Sequence, residues 1–384
     1  SRILSGPFCT MLLADLGAQV VKVERPGDGD PARDLGPRVG DDSAYFISVN
    51  RGKKSITLDI SGEEGQRLFR TLMPYFDVLV ENFVPGTMAR FGLDYERLKG
   101  LNPRLVYASI SGFGQDGPEA LRPALDVIVQ AIGGIMSVTG EYGGPPIRPG
   151  ASLGDSVAGA FAALAIVSAL FQRQTSGQGQ YIDMSMLDCQ VTMMENAFSR
   201  YFATGQVPGP LGSRHPAATP FQAFRAADGY FVVALLTNDL GTWRRFCEAV
   251  GRPDLAADSR FTDNHSRTKH VDALSDALSD IFRWRPVAHW LAVLAQAGIP
   301  CGPVNDVKAV AGDPQVMHRG MLARIPHSSA GEWRVANSPF KFSDSRTGPA
   351  GPSPRLGEHT RQVLSDLLNL SERELDSLKV AGVI

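Results

Sequence analysis

The chain has 384 residues, 38 basic against 40 acidic, with 43% apolar and 20% charged residues and a formal net charge of −2. Two domains are expected at that length, and the charge balance excludes a general pull toward nucleic acid or anionic membranes. Cys9, Cys189, Cys247 and Cys301 lie far apart without metal-ligand spacing, so reduced thiols in a cytoplasmic protein are expected rather than a disulfide framework or metal centre.

The chain opens on a Gly6-Pro7 turn with no strand ahead of it, and a first strand is therefore read as missing. A short helix is predicted over 8–16, a strand over 20–24 and a loop over 25–30. A strand over 55–58 precedes Ser61-Gly62-Glu63-Glu64, read as a capping box that opens a helix to about Met73. Strands over 77–80 and 105–110 flank a helix over 95–101. An apolar helix over 155–172, a strand over 180–184 and a second apolar helix over 187–202 follow. No apolar run is read as long enough to span a membrane, and no signal peptide is visible.

Strands alternating with helices predict an α/β fold, with a parallel sheet covered on both faces in a large domain over 1–203. A linker over 204–220 leads to a smaller α+β domain over 221–310. Residues 311–384 form a return segment and C-terminal helices that pack on the large domain, the last helix opened by the box Ser371-Glu372-Arg373-Glu374.

Asp155 stands among small residues, Gly154, Ser156, Ala158 and Gly159, at the mouth of the long apolar helix. Either it is an N-cap that only starts the helix, or it is a carboxylate nucleophile that an electrophile can approach. In both cases free backbone N–H groups at the helix end are expected to hold it ionised. Gly112-Phe113-Gly114-Gln115-Asp116-Gly117 matches a dinucleotide fingerprint, but Pro118 follows and no helix opens within it, so a strand-to-loop turn is expected. Arg25, Arg33, Arg51, Lys53, Lys54 and Arg90 sit at or near predicted strand ends, where a phosphorylated ligand would be clasped. His215 could touch a ligand from the linker; no metal-binding histidine motif and no serine nucleophile elbow occur.

Together these stretches resemble the class III CoA-transferase family. The resemblance is carried by Ser5-Gly6-Pro7, Val21-Lys22-Val23-Glu24-Arg25-Pro26-Gly27, Asn50-Arg51-Gly52-Lys53-Lys54, Glu81-Asn82-Phe83, Gly154-Asp155-Ser156, Gly298-Ile299-Pro300-Cys301-Gly302-Pro303 and Leu356-Gly357-Glu358-His359-Thr360. It implies a Rossmann-like, doubly wound large domain, a smaller α+β domain and an interlocked homodimer. Asp155 takes the family's catalytic position. The CoA phosphates and pantetheine path fall to Arg25, Arg90 and Arg122, with Lys53 or Arg51 substituting for a family lysine whose position is Ser61 here. Ile3, Ser5, Leu58, Asn82 and Phe83 line the rest of the CoA path. CoA and acyl-CoA enter as substrates, with no tightly bound cofactor and no metal. Leu4, Ser61 and the absence of a glycine-run loop depart from the formyl-CoA transferase branch and favour dicarboxylate users, with succinyl-CoA as a candidate donor. Arg148 and Arg33 are the cations considered for a distal carboxylate. The alternatives are a 2-methylacyl-CoA racemase, weakened by Leu125 where a histidine is expected before Asp126, and a non-catalytic CoA-binding protein.

Overall fold

A computed structural model of the chain describes residues 1–327 and 330–384. The chain divides into two compact units. One comprises Ser1–Met136, Arg148–Gly205 and Pro314–Ile384, and the other Ser137–Ile147 and Gln206–Asp313.

The first unit holds two parallel sheets with helices, a mixed α/β fold. Val21–Glu24 pairs with Lys54–Thr57, and Val106–Ser111 runs between Val78–Glu81 and Tyr181–Ser185. The single sheet expected from the sequence is thus two hydrogen-bonded pieces. Among the described residues no strand pairs with the outer edge of Val21–Glu24 or of Val78–Glu81. Val106–Ser111 is buried throughout, as befits a central parallel strand.

Two helices cover one face of the three-stranded sheet. Ser5–Asp15 contributes Cys9, Leu12 and Leu13 to the core, and Leu153–Ser176 contributes Ala158, Ala162, Ile166 and Ala169 at helical spacing. These small residues let the two helices approach closely. A Cβ on Gly159 would lie 2.7 Å from the Ser5 carbonyl oxygen. Helix Leu153–Ser176 has 24 residues and is long and apolar enough to cross a membrane, which corrects the sequence reading that no run reaches that length. One stripe of it is core; Leu164, Val167 and Phe171 are exposed.

A second core combines Ile56, Leu58, Leu68, Leu72 and Leu98 with Val363, Leu364 and Leu375 of the last two helices. Side chains from that end of the chain close the edge of strand Lys54–Thr57. His359 Nδ1 accepts from the Ser55 N–H at 3.3 Å, and Thr360 Oγ1 accepts from the Thr57 N–H at 2.9 Å. Ser371 and Glu374 form the expected reciprocal capping box. Ser61 does not: helix Glu63–Leu72 begins after Gly62, and the Ser61 hydroxyl donates instead to Asp59. Asp59, two residues upstream, offers a charged acceptor that outcompetes the helix end. The apolar stretch over 187–202 breaks at Met194 into Met186–Met193 and Glu195–Thr204.

The second unit contains a three-stranded antiparallel sheet with Tyr230–Ala234 between Phe221–Arg225 and Cys301–Pro303. Phe224, Phe231, Phe282 and Trp290 pack its core edge to face. Arg267, 1% exposed, donates to the Thr219, Phe261 and Thr237 carbonyls and lies over the Trp243 ring.

Candidate functional site

Strand Val21–Glu24 inverts the usual pattern, because its two charged residues face inward. Lys22 donates to Asp30 at 2.7 Å, and Arg33 clasps Glu24 through two bonds of 2.7 and 2.8 Å. Lys22 and Arg33 hold the Asp30 and Glu24 carboxyls below the usual range despite burial. Asp30 in turn accepts from the Ile3 N–H at 3.1 Å. Ile3 has a φ of 62°, a left-handed backbone that a β-branched residue rarely adopts. The buried charge network thus holds a strained turn directly ahead of helix Ser5–Asp15.

That turn delivers Ser5 to Asp155. Ser5 stands at the Asp155 carboxylate, where its hydroxyl and its backbone N–H both favour the charged form. Asn82 Nδ2 donates to Ser5 Oγ at 3.1 Å, so the strand end at Glu81 is tied to the turn that faces the carboxylate. Asn82 also grips the Arg2 backbone, with bonds of 2.7 and 2.8 Å.

Asp155 is not the cap of its helix. The helix begins at Leu153, and the N–H groups of Gly154 and Asp155 point at Asp126 Oδ1, at 2.8 and 3.4 Å. The Ser156 N–H donates to the Ser152 carbonyl. The expectation that helix-end N–H groups keep the Asp155 pKa low is therefore corrected. Burial and the neighbouring Asp126 charge push it up to about 6, against the pull of the two Ser5 donors. The same occupied donors cannot serve as an oxyanion hole. Asp126 is fixed from its other oxygen by Gln130 Nε2 and Arg148 Nη2, each at 2.7 Å. A Cβ on Gly154 would sit 3.0 Å from Asp126 Oδ1, so glycine lets the cap come close.

Tyr45 is half-buried near these carboxylates. Desolvation, with Asp155, Asp126 and Asp30, pushes its phenol up to about 12, so it is neutral and a potential donor. Neither the Asp126 cap nor Tyr45 is legible in the sequence as part of the site. Asp126 with Gln130 at i+4 is the available signal, but nothing local links it to a helix starting 27 residues later.

The other sequence-derived candidates divide by burial. Arg25, Leu58, Asn82 and Phe83 all lie just beyond carboxyl ends of parallel strands, the usual ligand edge. Arg25 is exposed, with Asp28 at 3.6 Å; Arg90 is exposed at the end of a short helix; Arg122 is exposed beside Glu119 and over the Phe113 ring. Leu58 is 1% exposed, so only its backbone is available. Phe83 is partly buried, its N–H donating to Glu81 at 2.7 Å.

Lys53 and Arg51 do not join this rim. Lys53 is buried and donates to the Pro7 carbonyl and Asn50, and Arg51 is buried against Asp15 at 2.6 Å. Burial pushes the Lys53 ammonium well below its ordinary pKa. Both are structural ties to helix Ser5–Asp15, which corrects their reading as phosphate ligands. Arg33 is likewise consumed by Glu24. His215 packs on Phe221 within the second unit and accepts from the Ala217 N–H. The glycine pattern at 112–117 runs as a turn after its strand, with no helix opening in it. Among the described residues no cluster of histidine, cysteine and carboxylates could hold a metal.

Comparison with known proteins identifies the family to which the chain is similar. The sequence profile of CoA-transferase family III matches residues 1–360. The chain is 44% identical to an acetyl-CoA:oxalate CoA-transferase from Acetobacter aceti, covering 92% of this chain and 90% of the relative. It is 37% identical to a human succinyl-CoA:glutarate CoA-transferase, covering all of this chain and 87% of the relative. The crystal structure of a CaiB/BaiF family protein from Brucella suis superposes with a TM-score of 0.85 at 39% identity, covering 96% of both chains. The chain therefore belongs to CoA-transferase family III, and it is a class III CoA-transferase.

Proposed function

We propose that this enzyme moves CoA from an acyl-CoA donor to a free carboxylic or dicarboxylic acid through a thioester on Asp155. The observation that carries the reading is the Asp155 carboxylate itself: desolvated, held by Ser5, and with a pKa of about 6. Such a group is still about nine-tenths ionised at pH 7. It is poorly solvated, and that favours nucleophilic attack. The relatives named for transfer to oxalate and to glutarate support a dicarboxylic acceptor, and succinyl-CoA is the candidate donor.

An Asp155 oxygen attacks the thioester carbonyl; the carbon–sulfur bond breaks and CoA thiolate leaves a mixed anhydride. The thiolate attacks the Asp155 acyl carbon, and the donor acid departs as its carboxylate. The acceptor carboxylate attacks the resulting aspartyl-CoA thioester and expels thiolate. Thiolate then takes the acceptor's acyl carbon and releases Asp155. Every nucleophile and leaving group is already an anion, so no general base is required. Exposed Arg25, Arg90 and Arg122 are the cations for the CoA phosphates, and Ile3, Asn82 and Phe83 line the pantetheine path. The chemistry asks for no resident cofactor.

An interlocked homodimer built on a doubly wound large domain, in the cytoplasm, completes the proposal. The exposed Leu164, Val167 and Phe171 on helix Leu153–Ser176 support a second copy as their cover. The test is peptide mapping of enzyme quenched during turnover with acyl-CoA and treated with hydroxylamine. The adduct is expected on Asp155, and an adduct on another residue overturns the assignment.

The pH profile gives an independent check. Carboxylate attack needs the ionised form, so kcat/KM should fall about tenfold per pH unit below pH 6. Ser5→Ala removes one donor to the charged form, which raises the Asp155 pKa further. The acid limb should move above pH 6, with roughly tenfold lower kcat/KM at pH 6. An unmoved limb would show that Ser5 does not hold the reacting carboxylate.

A further inference from the structure

We propose that Arg148 recognises the distal carboxylate of a dicarboxylic acceptor at the Asp155 site. The inference rests on the CoA-transfer reading above and adds to it the residue that selects the acid. A dianionic acceptor must approach two carboxylates, Asp126 and Asp155, and its unreacted end needs a compensating cation. Lys22, Arg33, Arg51 and Lys53 surround the same turn, but each is turned inward onto a buried partner.

Arg148 is held differently. Its Nη2 donates to Asp126 Oδ2 at 2.7 Å and its Nε to the same oxygen at 3.3 Å, while Ser152 Oγ accepts from Nη2 at 3.2 Å. The two bonds to Asp126 use the Nε side of the guanidinium, and Ser152 takes the second Nη2 hydrogen. Nη1 has no hydrogen-bond partner among the described residues, and the side chain is 38% exposed. The guanidinium is therefore anchored through Nε and Nη2, while both Nη1 hydrogens are left to donate to a second carboxylate. The anchor ties it to the start of the helix that carries Asp155, because the other oxygen of Asp126 accepts from the Gly154 and Asp155 N–H groups. Anchoring also lowers the entropy lost when the acid binds.

The test compares a five-carbon dicarboxylate with the five-carbon monocarboxylate as acceptors, using one acyl-CoA donor and the full-length enzyme. Arg148→Gln should lower kcat/KM for the dicarboxylate about 100-fold, mainly through KM, the scale of a lost charge-assisted pair. The ratio of kcat/KM for the dicarboxylate to that for the monocarboxylate should fall about tenfold or more, whatever loss both acids share from the loosened Asp126. Arg148→Lys should recover part of the loss, since it keeps the charge but not the fork. Equal losses for both acids would overturn the proposal and leave Arg148 as a brace for Asp126. No loss for the dicarboxylate would overturn it too. Absence of any Asp155 adduct in wild-type enzyme would instead overturn the nucleophile assignment, and the ratio between the two acids would still report on Arg148.

Discussion

Asp155→Asn should abolish CoA transfer and, at neutral pH, should melt at a higher temperature than the native protein. The first half follows from chemistry: an amide cannot form the anhydride, and turnover should drop by about 10⁴-fold or more. The second half follows from the carboxyl's environment. Its folded-state pKa is raised to about 6 from the ordinary value of 3.8, chiefly by burial and by Asp126. The folded state thus holds this proton more tightly than the unfolded chain does. The associated stability is fully present below pH 4 and is lost as pH rises through 6. Above that range the native protein carries a buried charge whose cost reaches about 3 kcal/mol before any discount for residual solvation. The amide carries no charge and keeps an acceptor oxygen for Ser5. Thermal unfolding should therefore show the variant more stable by about 2 kcal/mol at pH 7.5, with the gap closing toward pH 4. A variant equally stable at both pH values would mean that Asp155 is well solvated, and the basis for its reactivity would be gone.

The parts of this architecture legible in the sequence are those written locally. Buried runs such as Val106–Ser111 announce strands by composition alone, and the Ser371 box needs only four consecutive residues. Asp155 stands out because its neighbours are small. What cannot be read is which partner each charge takes. Lys53, Arg51 and Arg33 look like rim cations in a linear sequence, yet each is satisfied by a group from another element. Burial of a charge depends on tertiary pairing, and no periodicity records it. The same limit hides Asp126. Local sequence assigns capping to the carboxylate nearest the helix start, whereas a carboxylate from another helix occupies those N–H groups. This displacement has a chemical consequence. A nucleophile that served as its own helix cap would spend its lone pairs on backbone donors. Asp126 takes that duty, and Asp155 is left facing Ser5 at a raised pKa.

Gly159→Ala should destabilise the protein, opposite in sign to the usual effect of that substitution in a helix. Alanine normally gains about 1 kcal/mol over glycine at an interior helical position. Here the added Cβ would lie 2.7 Å from the Ser5 carbonyl oxygen, 3.1 Å from the Cys9 N and 3.1 Å from Phe8 Cδ1. Two of those three atoms are backbone of helix Ser5–Asp15 and cannot rotate away, so the helices must separate. Overpacking of this kind costs about 1–3 kcal/mol, enough to outweigh the propensity gain. The larger effect should be catalytic. Ser5 rides on the displaced helix and supplies both donors to Asp155. A shift approaching about 1 Å there should cost roughly 100-fold in kcat/KM and carry the acid limb to higher pH, as Ser5→Ala does more mildly. A variant more stable than wild type, with an unmoved limb, would show that the two helices do not meet at Gly159 and that the route from the strained turn to Asp155 is wrongly drawn.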